Sequence, residues 1–126
     1  MNQQQAKNLN SKVLAYGGRE MKSPEVENQV VDLIERGYLR THDKVTLMQG
    51  APHQCHMNSA KLWFSNRDWT VVVTGYARVK DTWFQHTWCE SLEGDEIFET
   101  TVEFDAYFGM ELTLEEADEF YFNNAW

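Results

Sequence analysis

The chain has 126 residues, 42% hydrophobic and 13% aromatic, which is enough apolar surface for a packed core and too much for a disordered chain. Its 20 Asp and Glu against 11 Lys and Arg give a net charge of -9, which repels phosphate backbones and argues against nucleic-acid binding. No apolar run is long enough to span a bilayer, and the polar start "MNQQQAKNLNSK" has no signal-like apolar core, so the expectation is a cytoplasmic protein with no membrane partner.

Residues 1–15 read as a flexible polar tail, and residues 16–126 as a single domain. "YGGR" at Tyr16–Arg19 is a turn. A helix is predicted over Pro24–Arg36: Ser23 caps it, Pro24 suits its first position and Glu25 its positive end. Val26, Val30, Leu33 and Ile34 recur at helical spacing, and Gly37 ends the run. "KVTLM" at Lys44–Met48 reads as a short strand, and Gly50 and Pro52 turn the chain. A second helix should begin close to Cys55, with Met57, Ala60, Leu62, Trp63 and Phe64 on its buried face.

Three β-rich runs follow, Trp69–Val79, Trp83–Ser91 and Glu96–Phe104. Their short connections make an antiparallel meander. "TLEE" then signals a last helix, with Thr113 and Glu116 forming a capping box. The order predicts an α+β domain in which an antiparallel sheet packs on helices. Twelve Asp and Glu and no Lys or Arg lie between Glu90 and Glu119, a solvated face or a surface for a basic partner.

Cys55 and Cys89 are the two cysteines, and a cytoplasmic setting disfavours a disulfide between them. Cys89 reads as a core thiol. Cys55 stands where the second helix begins, and a helix N-terminus stabilises a thiolate. A thiolate nucleophile needs a base and a group that orients the base. His86 lies on the middle strand, sharing a face with Phe84, Trp88 and Glu90, while Gln85, Thr87 and Cys89 take the other. A simple hairpin around Glu93–Gly94 sets Glu99 directly opposite His86.

His53, Cys55, His56 and His86 also offer zinc ligands, but adjacent Cys55 and His56 converge poorly on one ion, and no metal is expected. Trp63, Trp69, Trp83 and Trp88 read as core, with Trp88 and His56 as walls of a cleft around Cys55. Asn58 reads as structural.

A Cys at a helix start, "HTW" at 86–88 and "ETT" at 99–101, with "TGY" at 74–76 and Gly94 between, resembles the transglutaminase-like branch of the papain-like cysteine enzymes over residues 49–101. "QGAPHQC" is similar to the papain-type segment in which a Gln six residues before the nucleophile helps form the oxyanion hole. The resemblance implies a papain/transglutaminase-like fold and a Cys55–His86–Glu99 triad. It implies Gln49 as an oxyanion donor, no cofactor, and hydrolysis or transfer of a protein or peptide amide. The chain departs from the family in having Glu rather than Asp or Asn as third member, His56 in place of a Trp, and a short length. Two other readings stand beside it: an inactive binding or inhibitor module of the same fold that docks on a basic protein, and a zinc module. The sequence carries no signal for an oligomeric state.

Overall fold

The computed structural model describes residues 3–22, 28–40 and 44–125. Among the described residues four helices are formed, α1 (Gln3–Leu14), α2 (Asn28–Arg36), α3 (Cys55–Ser65) and α4 (Leu114–Asn124). The strands are β1 (Glu20–Met21), β2 (Tyr38–Arg40), β3 (Lys44–Leu47), β4 (Thr70–Val79), β5 (Thr82–Ser91), β6 (Glu96–Glu99) and β7 (Ala106–Glu111). The chain is α+β, as expected. Its sheet is mixed rather than purely antiparallel, because β1 runs parallel to β5 and β3 parallel to β6. A parallel partner needs a long connection, and the chain between β3 and β6 supplies one through α3, β4 and β5.

Two compact units are present. The first comprises Met1–Arg40, Gly75–Gln85 and Phe104–Met110; the second comprises Thr41–Thr74, His86–Glu103 and Glu111–Trp126. The boundary expected at residue 15 therefore falls inside the first unit.

In the first unit the expected flexible tail is a helix over residues 3–14. The sequence hides this because only two apolar side chains, Leu9 and Val13, make its buried stripe. They stand four residues apart, on one helix face, and both are fully buried. Gln, Ala and Lys around them are good helix formers. Lys12 Nζ donates to the Ile34 carbonyl at 2.6 Å, tying α1 to α2. In α2, Val30 and Leu33 are buried, and the Gly37 N–H donates to the Leu33 carbonyl at 2.9 Å, closing the helix where expected. The predicted start of this helix, Ser23, Pro24, Glu25 and Val26, lies outside the described residues.

The Tyr16–Arg19 turn forms with positive φ at Gly17 and Gly18, and Trp83 Nε1 donates to the Gly17 carbonyl at 2.8 Å. β2 pairs antiparallel with β7, Leu39 opposite Phe108. β7 was not expected, since residues 96–104 read as one strand. Gly75 of β4 lies so close to β7 that a Cβ would stand 2.2 Å from the Phe108 carbonyl oxygen. Only glycine permits that approach.

The second unit carries the other core. Trp63, Val72, Cys89, Phe98 and Ala117 form its centre, with Leu62, Leu112, Phe120 and Tyr121 packed around them. Here β5 pairs antiparallel with β6, and β3 adds to β6 with Leu47 opposite Glu99. α4 begins as predicted: Thr113 accepts from the Glu116 N–H at 3.2 Å, and Glu116 accepts from the Thr113 N–H at 2.8 Å. Of the four tryptophans assigned to the core, Trp63, Trp83 and Trp88 are buried, whereas Trp69 is 45% exposed and packs edge-on against Phe98. No helix among the described residues is long and apolar enough to cross a membrane.

The status of α1 is directly testable. Leu9→Ala should destabilise the chain by about 2–5 kcal/mol, the usual cost of emptying a buried leucine site. Urea unfolding followed by circular dichroism measures this. A frayed segment would make the substitution silent.

Candidate active site

All four residues predicted for catalysis belong to the second unit. Cys55 is the first residue of α3, where the sequence places the start of the second helix. The loop before it is held by named bonds. The Met48 N–H donates to the Glu99 carbonyl at 2.7 Å, and the Gly50 N–H to the Thr100 carbonyl at 2.8 Å, so the chain stays beside β6 past the end of β3. Asn58, one turn into α3, then brackets Ala51. Its Oδ1 accepts from the Ala51 N–H at 3.1 Å, and its Nδ2 donates to the Ala51 carbonyl at 2.8 Å. A Cβ at position 50 would lie 2.5 Å from the Asn58 Cγ, so Gly50 is the residue that lets the loop close on the helix. Asn58 is structural, as expected. The Gln54 side chain at the N-cap makes no capping bond, so the first N–H groups of α3 are not blocked by it.

His86 and Glu99 meet as predicted, but through a different register. Cys89 pairs with Phe98 and Glu90 with Ile97, so the same ladder carried one residue further sets Glu99 level with Trp88 rather than His86. The expected pairing was off by two residues. An even slip keeps every side chain on its face, and a glutamate spans the diagonal. His86 Nε2 contacts Glu99 Oε1 at 2.9 Å and Oε2 at 3.0 Å. The same Oε2 accepts from the Thr101 N–H and the Thr101 hydroxyl, both at 3.0 Å. Both side chains are almost wholly buried, His86 at 5% and Glu99 at 0% exposure. The local turn made by Glu99 and Thr101 also explains why β6 ends at Glu99 rather than at Phe104.

His86 is held between two partners. Burial pushes its ring toward the neutral form. A hydrogen bond with the Cys55 side chain opposes this, followed by the hydrogen bond to Glu99 and the negative charges of Glu99 and Cys55. Together they raise its pKa from 6.5 to about 9. Because Nε2 is taken by Glu99, Nδ1 is the ring nitrogen left for the thiol. The Trp88 ring lies 5.9 Å from the imidazole at an interplanar angle of 22°, and its Nε1 donates to Glu90 Oε2 at 2.9 Å.

The remaining predicted residues divide. Gln49 is exposed, on the segment anchored through Met48 and Gly50. Trp88 is completely buried. It backs the His86 ring instead of lining an open cleft, because stacking on the imidazole and bonding Glu90 draw it into the interior. His56 is half-buried, and its Nδ1 contacts Thr87 Oγ1 at 2.9 Å. Cys89 is a buried core thiol, its sulfur donating to the Ser59 carbonyl at 3.4 Å. Among the described residues no group of three or more His, Cys, Asp or Glu is placed to hold a metal ion.

Sequence reasoning missed Thr101, Thr87, Thr74 and Ser59. Thr87 Oγ1 contacts Thr74 Oγ1 at 2.9 Å, and the Ser59 hydroxyl donates to the Thr87 carbonyl at 3.1 Å. Thr74 and Thr87 lie on strands joined by the two-residue turn Lys80–Asp81, where a Thr–Thr cross-strand pair was the available signal. Ser59 sits amid the apolar run of α3, where a polar residue that needs a buried partner draws no attention. No protein-family model, curated protein or solved structure matches the chain.

The folded chain keeps a proton on His86 that the unfolded chain releases above pH 6.5. The stabilisation is complete below pH 6.5 and is lost as pH rises through about 9. Wild type should therefore lose stability relative to His86→Gln across this window, by on the order of 3 kcal/mol. Urea titrations of both proteins at about pH 6 and about pH 9.5 measure the difference. A gap that does not narrow would mean that His86 is neutral throughout.

Proposed function

We propose that the protein is a cysteine-dependent acyl-transfer enzyme with a papain/transglutaminase-like arrangement of Cys55, His86 and Glu99. Its substrate would be a peptide or side-chain amide of a protein. The observation that carries this reading is the placement of one buried imidazole between a carboxylate and the thiol that opens a helix. A buried histidine of purely structural use has no need of a thiol partner at a helix N-terminus.

The steps follow from the groups. His86 holds the proton of the Cys55–His86 pair, so that Cys55 attacks as the thiolate, and Glu99 stabilises the imidazolium. The Cys55 sulfur attacks the amide carbonyl carbon, a C–S bond forms, and the π pair moves to oxygen. The N–H groups at the start of α3 suit that oxyanion, with the Gln49 side chain as a second donor. When the intermediate collapses, the C–N bond breaks and His86 gives its proton to the departing amine. The thioester then passes to water, with His86 as base, yielding an acid and the free thiol. With an amine in place of water the product is a new amide. Hydrolysis is the preferred outcome.

A peptide vinyl-sulfone probe tests the reading, with labelling located on Cys55 by mass spectrometry. Cys55→Ala should abolish it, and His86→Ala should slow it by roughly 10³-fold or more. Glu99→Gln, which keeps the shape but removes the charge, should slow it by about 10²–10⁴-fold. Labelling at Cys55 that ignores His86 would leave an ordinary surface thiol and end the proposal.

A further inference from the structure

We propose that His56 and Thr87 are positioning residues that hold Cys55 against His86, rather than walls of the substrate cleft; this rests on the cysteine-enzyme reading above. His56 follows Cys55 in the chain, and Thr87 follows His86. The two pairs therefore bridge the same two elements, α3 and β5, one step apart. In one, the Cys55 side chain meets the His86 ring. In the other, His56 Nδ1 meets Thr87 Oγ1 at 2.9 Å. Relative rotation or sliding of α3 that separated Cys55 from His86 would have to stretch the second bond as well.

The tether is reinforced from both sides. Ser59, one turn along α3, donates to the Thr87 carbonyl at 3.1 Å, and Cys89 donates back to the Ser59 carbonyl at 3.4 Å. Thr87 and Ser59 are fully buried, where a broken bond finds no water to replace it. Beneath them Thr74 Oγ1 reaches Thr87 Oγ1 at 2.9 Å. The Phe120 ring packs edge-to-face with the His56 imidazole at 5.9 Å and 69°, fixing its plane.

The hydroxyl chain also works for either form of His56. A neutral ring accepts at Nδ1 from Thr87, while Thr74 donates to Thr87. A ring protonated at Nδ1 donates to Thr87, which turns and donates to Thr74. A hydroxyl both donates and accepts, so the tether survives both states. Titration of His86, which faces Cys55 and Glu99, can then proceed without loosening α3.

The test is the pH dependence of Cys55 alkylation by iodoacetamide in the full chain, read at Cys55 by peptide mapping. Wild type is compared with His86→Ala, Thr87→Val, Thr87→Ser and His56→Phe, each checked for folding by circular dichroism. The expected result is that Thr87→Val and His56→Phe slow alkylation at neutral pH by about 10–100-fold, in the range of a small misplacement of reacting groups. Thr87→Ser, which keeps the hydroxyl, should stay within about threefold of wild type. His56→Phe keeps the question open to refutation if Thr87→Val does not fold. Wild-type profiles in folded Thr87→Val or His56→Phe would overturn the tether while leaving the triad standing. A profile that His86→Ala leaves unchanged would overturn the enzyme reading and the tether together.

Discussion

The second unit is organised around a buried negative charge. Glu99 has no exposed surface, and an unpaired carboxylate there would cost several kcal/mol. It is matched by the His86 ring and by two donors from Thr101. Each of these bonds has a structural consequence. The bonds to Thr101 turn the chain and end β6. The carbonyl groups of Glu99 and Thr100 receive Met48 and Gly50, which sets the path of the loop into α3. The bond to His86 leaves one ring nitrogen for whatever lies on the other side, and what lies there is Cys55. Glu99 thus holds the ring through its carboxylate and the loop through its main-chain carbonyl.

What the sequence shows and what it hides follow the same physics. The Cys55 helix start, the capping box at Thr113 and the β-rich runs of β4 and β5 are local signals, and they were legible. The His86–Glu99 pair was legible for a deeper reason. Strand alternation has a period of two, so the two-residue error in register preserved the shared face, and the length of a glutamate absorbed the rest. Strands β1 and β2 were not legible, because they have two and three residues and acquire their identity only from partners distant in sequence. α1 failed for the opposite reason. Its polar composition hid a stripe of two apolar residues whose burial is a tertiary fact.

Polar residues account for much of the precision around the candidate site. Asn58 and Ser59 are buried in a helix whose outer turn exposes Phe64 by 40%, the reverse of what hydropathy alone would arrange. The inversion is explained by their bonds. Asn58 satisfies both backbone groups of Ala51, and Ser59 satisfies the Thr87 carbonyl. Apolar packing of α3 on Val72, Cys89 and Phe98 sets the helix approximately. Being non-directional, it tolerates small rotations. Hydrogen bonds between fixed atoms do not.

The two cysteines show how strongly environment decides chemistry. Cys89 has no exposed surface and lies among Trp63, Val72, Phe98 and Ala117. Burial there, reinforced by the negative charge of the neighbouring Glu90, pushes its thiol far above the ordinary range. It remains a protonated donor to the Ser59 carbonyl, unreactive toward electrophiles. Cys55 is only half-buried, opens a helix and shares a hydrogen bond with a histidine that holds its proton above neutral pH. The same side chain is therefore a core group at position 89 and a half-buried group beside a histidine at position 55. Glu90 and Glu99 both act on the Cys89 thiol through their charge, whereas Glu99 bonds the His86 ring that meets Cys55. At Cys89 the negative charge adds to burial and opposes loss of the thiol proton; at the candidate site it is matched by the His86 ring, which keeps its own proton.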